Sequence, residues 1–315
     1  MIRFLAFGEA MLRLSAADGE RLRDAPALAV HPAGSELNVA VALSALGGEG
    51  AWVSSLPENA LGRRVAAAAA AHGVDAGSVR WVEDGRLGTF FAEVAPPPRR
   101  TSVVYDRAGS AFATAPPESV SLAGRDWLVV SGITPALGDA ARAATERLLA
   151  AAKAAGVRVC FDVNYRERLW RPEEAAATLA PILAAADLVA CGRRDAELLF
   201  GLAGDPASQV VALRDLAAPG ATVALTLGER GCLAVDAAGE VAGHPGFPAT
   251  VVDPVGAGDA FLAGLLWARA ERPLPEALAR AAALGALACT VRGDFAAFSP
   301  AEVEAVVAGD TELHR

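Results

Sequence analysis

From Trp127 onward the chain repeats one unit: a short apolar run, then an Ala-rich stretch of helical length. Residues 128–131, 157–162, 188–191, 223–227 and 233–235 read as strands, and 140–155, 172–186 and 196–200 as helices. This alternation constrains the fold more than any other feature. Neighbouring parallel strands need a long crossover, and a helix supplies it, so the pattern predicts an α/β chain with a parallel sheet flanked by helices on both faces. The first part of the chain adds strands at 2–7 and 51–56 and helices starting after Gly34 and at 63–72. Two stretches break the rhythm. Leu12, Leu14, Leu22, Leu28 and Val30 lie in short segments between turn residues, and 88–94 and 101–105 read as strands joined by Pro96-Pro97-Pro98. Ligands of such sheets bind beyond the carboxyl ends of the strands. Polar clusters fall at those ends: Ser131-Gly132, Asp162-Val163-Asn164-Tyr165-Arg166, Thr226-Leu227-Gly228, and the region of Asp253.

The last cluster carries the chemistry. Thr250, Val251 and Val252 read as a strand that ends at Asp253. Gly256-Ala257-Gly258-Asp259 follows, and Phe261, Leu262, Leu265 and Leu266 recur at helical spacing. Glycines permit close backbone approach, and the unpaired N–H groups and dipole of a helix start attract an anion. Asp259 places a carboxylate at the same point, so the stretch suits phosphate chemistry with a positioned base. Taken alone, it reads equally well as a plain strand–loop–helix connection, since Asp is common at helix starts. No Gly-Lys-Ser/Thr occurs anywhere, which excludes a Walker A loop, and Phe261 at the third glycine position excludes the dinucleotide fingerprint.

The 315 residues are 53% hydrophobic with a net charge of −9, enough for a large core and the wrong sign for a nucleic-acid partner. Apolar stretches are broken by charges or glycine before the roughly 20 residues a membrane span needs. The first residues read as a strand rather than a signal peptide. Cys160, Cys191, Cys232 and Cys289 are scattered in apolar surroundings without metal spacing. A cytoplasmic address with reduced cysteines is expected.

Two motifs resemble signatures of the ribokinase-like (PfkB) carbohydrate kinases: Ala33-Gly34-Ser35-Glu36-Leu37-Asn38-Val39-Ala40 through Leu46-Gly47, and Asp253 to Phe261 in the pattern Asp-x-x-Gly-Ala-Gly-Asp-x-Phe. The resemblance spans essentially the whole chain. Within the family it is nearest to the 2-keto-3-deoxygluconate kinases, through 105–111, 131–137, 162–170 and 292–294.

The resemblance implies a Rossmann-type core with a small β lid made from about 11–32 and 86–110, and a dimer formed through that lid. It implies ATP and Mg²⁺, with a monovalent cation near Asp253, and γ-phosphoryl transfer to a primary hydroxyl of a sugar acid. Asp259 would be the base, with an ordinary carboxylate pKa. Gly256, Ala257 and Gly258 would form the anion hole. Gly34, Asn38, Tyr105, Arg107, Ile133, Arg166 and Asp253 would line the sugar, the arginines facing its carboxylate. Thr226, Gly228 and Gly231 would line the nucleotide groove, and Asp195 would hold Mg²⁺ through water. Three positions depart from the pattern. Ala33 replaces a glycine, Gly192 an asparagine beside the metal, and Ala282 an asparagine near adenine. A ketose kinase is the alternative of the same chemistry, and a non-catalytic sugar- or nucleotide-binding regulator the alternative of another class.

Overall fold

Apolar runs near the N-terminus and after Trp127 become strands buried on both faces of one sheet. The computed structural model describes residues 1–95 and 98–310. In chain order the elements are β1 (Arg3–Phe7), β2 (Met11–Ser15), β3 (Ala29–Ala33), α1 (Ser35–Ala45), β4 (Glu49–Val53), β5 (Ser55–Pro57), α2 (Ala60–Ala71), β6 (Arg80–Val82), β7 (Gly88–Glu93), β8 (Ser102–Asp106) and α3 (Ala111–Thr114). They continue with β9 (Trp127–Ser131), α4 (Asp139–Ala155), β10 (Arg158–Asp162), α5 (Pro172–Leu183), β11 (Leu188–Gly192), α6 (Arg193–Phe200), α7 (Pro206–Arg214), β12 (Thr222–Thr226), β13 (Cys232–Val235), β14 (Val241–His244), α8 (Ala257–Arg269), α9 (Leu274–Ala288) and α10 (Pro300–Ala308).

The large sheet has the order β14-β13-β12-β11-β10-β9-β1-β4. Strands β4 through β12 in that order are parallel, while β13 and β14 are antiparallel additions at one edge. The sheet is therefore mixed, with mostly parallel strands. Side chains alternate between its faces, as the two-residue period of a strand requires. Phe4 and Ala6 join a core with α1, α8 and α9, whereas Leu5 and Phe7 join one with α4, α5, α6 and α7.

A separate four-stranded sheet, β3-β2-β7-β8, stands beside the strand ends. Met11, Ala33, Phe90 and Ala92 form its own small core with Val103 and Tyr105, while Val104 on the other face is half exposed.

Several local expectations fail for identifiable reasons. Residues 250–252 form no strand. The sheet ends at β14, and the N–H groups of Val252 and Asp253 instead donate to the Cys289 carbonyl at the end of α9. The run 51–56 is divided at Ser54 between β4 and β5, which belong to different sheets. Leu22 and Leu28 lie outside strands, and β6, β14, α3, α7, α9 and α10 go beyond the elements read from the sequence. Pro96 and Pro97 lie outside the described residues. Among the described residues, no helix is long and apolar enough to cross a membrane.

Candidate active site

Helix α8 begins at a backbone that only glycine accepts easily. Gly256, its N-cap, has φ 89°, and a Cβ there would lie 2.7 Å from the Asp294 carbonyl oxygen. Two residues later, a Cβ on Gly258 would meet nothing within 4 Å, so this turn faces open space. No side chain caps the helix. Among the described residues the N–H groups of Gly258 and Asp259 have no acceptor and can face an anion, while Ala257 N–H makes only a long bond, 3.4 Å, to the Pro254 carbonyl.

Asp259 sits in that first turn and is 8% exposed. Its Oδ1 accepts from Ser35 Oγ and its Oδ2 from Asn38 Nδ2, both at 2.7 Å. Asn164, just past β10 and at φ 39°, donates to Ser35 Oγ at 2.9 Å. The starts of α1 and α8 and the end of β10 thus meet at one carboxylate. Burial pushes the Asp259 carboxyl above its ordinary range, against the opposing pull of Asn38, Ser35 and the charge of Arg166. An ordinary carboxylate pKa is therefore not what the site provides. Asn38 Oδ1 is buried and accepts no hydrogen bond among the described residues.

Two further carboxylates share this region. Asp162, at the end of β10, is pushed up to about 8 by burial first, then by the charges of Asp259 and Asp195, with Arg166 opposing. Asp195, in the first turn of α6, is raised by burial and accepts a bond from Tyr165 N–H at 3.3 Å. Mutual repulsion among such groups favours a cation. No trio of acidic, His or Cys side chains with metal-holding geometry occurs among the described residues. The donor set fits a divalent ion held through waters and phosphate oxygens. A Cβ on Gly192 would lie 3.7 Å from Asp195 Oδ2, so the missing asparagine leaves room beside that carboxylate.

A cleft of about 400 Å³ opens between the small sheet and the β10 end, lined by Tyr105, Arg107, Arg166, Arg168, Arg194 and Asp195 among others. Arg166 is exposed, and among the described residues its guanidinium donates only to the Tyr165 carbonyl, at 3.2 Å. Arg107 differs. It is buried, ion-paired with Glu9, and that carboxylate also accepts from Ser110 Oγ. Gly34 packs on the same turn, where a Cβ would lie 2.5 Å from the Glu9 carbonyl oxygen. Ile133 follows β9, half-buried, and donates its N–H to Ser131 Oγ at 3.3 Å. Asp253 is 3% exposed, with both carboxylate oxygens already bonded within the protein.

A second cleft of about 490 Å³ is lined by Gly192, Arg193, Arg194, Thr226, Gly228 and Arg230 among others, so Arg194 borders both. Gly228 and Gly231 have φ of 66° and 87°. A Cβ on Gly231 would lie 2.0 Å from the His244 carbonyl oxygen, which fixes glycine there. Ala282 lies in α9 within the core.

Sequence reasoning overlooked three side chains. Ser35 bridges Asn164 and Asp259. Glu36, buried, accepts from Ser131 Oγ at 2.8 Å and anchors α1 over the end of β9. Arg13, 1% exposed, pairs with Asp253 at 2.6 Å and Asp294 at 2.8 Å. An arginine inside the apolar run of β2 was the available signal.

Residues 1–301 match the family described as pfkB family carbohydrate kinase. The chain belongs to that family. This kinase is 41% identical over 312 residues to a 2-dehydro-3-deoxygalactonokinase of Haloferax volcanii, covering 97% of this chain and 96% of the relative. A fructokinase-1 of Zea mays is 32% identical over 302 residues, covering 92% of each. Among solved structures, a 2-dehydro-3-deoxygluconokinase of Thermotoga maritima superposes with a TM-score of 0.91 at 31% identity, covering 98% of each chain. The kinase thus has the ribokinase-like fold.

Proposed function

We propose that this carbohydrate kinase transfers the γ-phosphoryl group of ATP to a primary hydroxyl of a 2-keto-3-deoxy sugar acid, the gluconate or its C4 epimer. The observation that carries this reading is the placement of Arg166. It is an exposed guanidinium whose one hydrogen-bond partner among the described residues is a backbone carbonyl; it lines the cleft beside the small sheet, and its charge acts on the buried Asp259 carboxyl. A planar fork with free N–H groups suits a carboxylate. The names of the Haloferax and Thermotoga relatives point to the same substrate class.

In this reading Asn38 Oδ1, unpartnered and buried, accepts from a sugar hydroxyl. Asp259, held by Ser35 and Asn38, takes the proton of the primary hydroxyl as its oxygen bonds to the γ-phosphorus and the bond to the bridging oxygen of ADP breaks. The amides of Ala257, Gly258 and Asp259 face the charge that develops on the phosphoryl oxygens. Asp162 and Asp195 would hold a magnesium ion through waters, and such an ion would supply neutralisation of phosphate charge. Arg193, Arg194 and Arg230 line the nucleotide cleft with Thr226, Gly228 and, at its turn, Gly231. The small sheet serves as a lid over the sugar and as the surface for a dimer.

The resident Glu9 partner of Arg107 favours a second reading, a neutral ketose, because only one of the two expected arginines is then free. The test is ADP release with Mg-ATP against 2-keto-3-deoxygluconate, 2-keto-3-deoxygalactonate, fructose, ribose and adenosine. Turnover confined to the keto-deoxy acids is the expected result. Preference for fructose would replace the acid by a ketose, and absence of turnover with all five would remove the kinase reading of these substrates.

A further inference from the structure

The loop that starts α8 is braced by a neighbour, residues 292–294. Gly256 packs against the Asp294 carbonyl, and Gly293 N–H donates to Asp253 Oδ2 at 3.2 Å. Each loop contributes a buried carboxylate, Asp253 at 3% and Asp294 at 5% exposure. Two such charges side by side repel each other and call for a cation. Asp294 registers the strain. Its carboxyl stands at about 6, raised by burial and by the charges of Asp259 and Asp253, with Arg13 opposing.

The positive charge between them comes from the small sheet. Arg13 on β2 places Nη2 2.6 Å from Asp253 and Nη1 2.8 Å from Asp294, and donates from Nε to Ser15 Oγ at 2.8 Å. A bound alkali ion would need several oxygen ligands. Asp253 has little to spare: Oδ2 already takes Arg13 and Gly293 N–H, and Oδ1 takes Val255 N–H at 3.1 Å, out of about four acceptor sites, and its charge is already met by the guanidinium. The residues present do not fit the monovalent cation that the family resemblance implies near Asp253.

We infer that Arg13 is the built-in cation of the anion-hole loop, so that this kinase works without a monovalent metal ion. The guanidinium does two things at once. It neutralises the two buried carboxylates, and it ties β2 of the small sheet to the loop that would hold the transferred phosphoryl. Arg13 is a positioning residue, and its role rests on the reading of residues 256–259 as the anion hole.

The experiment compares the intact kinase in choline chloride and in potassium chloride, always with Mg-ATP, by turnover and by thermal melting. The wild type is expected to show the same kcat and the same Tm in both salts. Arg13→Met is expected to lose at least most of its kcat in choline and to regain part of it, with a rise in Tm, on addition of potassium or guanidinium ions. Arg13→Lys should fall between them. Activation of the wild type several-fold by potassium overturns the inference, as does a wild-type kcat for Arg13→Met in choline. If Arg13→Met does not fold, Asp294→Asn keeps the Arg13–Asp253 pair and should remain indifferent to potassium, and potassium activation of that variant counts against the inference. A wild type inactive with every sugar tested would instead sink the kinase reading, while the melting comparison would still decide whether potassium binds.

Discussion

Two groups of carboxylates flank the start of α8, and they are treated in opposite ways. Asp253 and Asp294 are buried on either side of Arg13, which pairs with both, and Asp253 also takes the N–H groups of Val255 and Gly293. Among the described residues, Asp162, Asp195 and Asp259 share no such resident cation. The exposed Arg166 lowers all three, and Arg194 also lowers Asp195, but among the described residues neither forms an ion pair with any of them. A group whose charge is balanced internally holds a loop still. A group left unbalanced beside a cleft is stabilised only when something else arrives, which supports the proposal that ligands act at the second group.

The sharpest way to break this contrast is Asp259→Asn. It should lower kcat by about 10²–10⁴-fold, the usual worth of a positioned general base, with the sugar KM near wild type. Comparable turnover in steady-state assays would remove Asp259 from the base role. The same carboxylate sets a pH dependence. Burial raises its pKa, and the base must be ionised, so kcat should rise with pH along an acidic limb displaced above the ordinary carboxylate range.

Arg166→Ala comes next. Losing a charged hydrogen bond of about 1.5–3 kcal/mol should raise the KM for a keto-deoxy acid by roughly 10–100-fold and leave that for fructose little changed. Equal effects on both substrates would show that Arg166 does not read a carboxylate.

The two glycines of the loop separate the closed side from the open one. Gly256→Ala should cost about 1–3 kcal/mol of stability, since it places a side chain at positive φ and against Asp294. Gly258→Ala meets open space, so its Tm should hold while kcat falls, because the added methyl group stands where the phosphoryl would pass. A melting scan beside one rate measurement distinguishes them.

The last prediction concerns Asp162 and reads stability alone. Its folded carboxyl keeps a proton up to about pH 8, whereas the unfolded chain releases it near pH 4. The folded state therefore binds more protons between those values, and stability should fall as pH rises through that window. Asp162→Asn should flatten the fall in Tm. A slope unchanged in that variant would locate the titration elsewhere.

Much of the large sheet was legible because its strands are local apolar runs. The strand β10 and the helix α4 were read within a residue or so of their bounds, since burial on both faces and a long amphipathic helix leave clear patterns. Residues 250–252 misled for the same reason: three β-prone residues look like a strand, but a strand also needs a free edge, which no local pattern records. The Asp259 loop was readable from its glycines. Its surroundings were not, because burial decides the state of the carboxyl, and burial is a sum over α1, α8 and β10 together. The same holds for Arg107, whose partner Glu9 lies 98 positions away. Spacing suggests an arginine for a substrate, and only the fold shows which arginine already has an acid.

The bond from Arg13 to Asp294 spans 281 positions of the chain. During synthesis at about 5–20 residues per second, the two partners emerge on the order of tens of seconds apart. Until Asp253 and then Asp294 appear, β1 to β4 and the small sheet must wait with a charged guanidinium that lacks both of its acids. The ribosome therefore delivers the scaffold first and the phosphoryl loop with its brace last, and the loop-closure entropy of that contact makes it a late event of folding. A nascent chain of this kinase would hold a sheet long before it held a site.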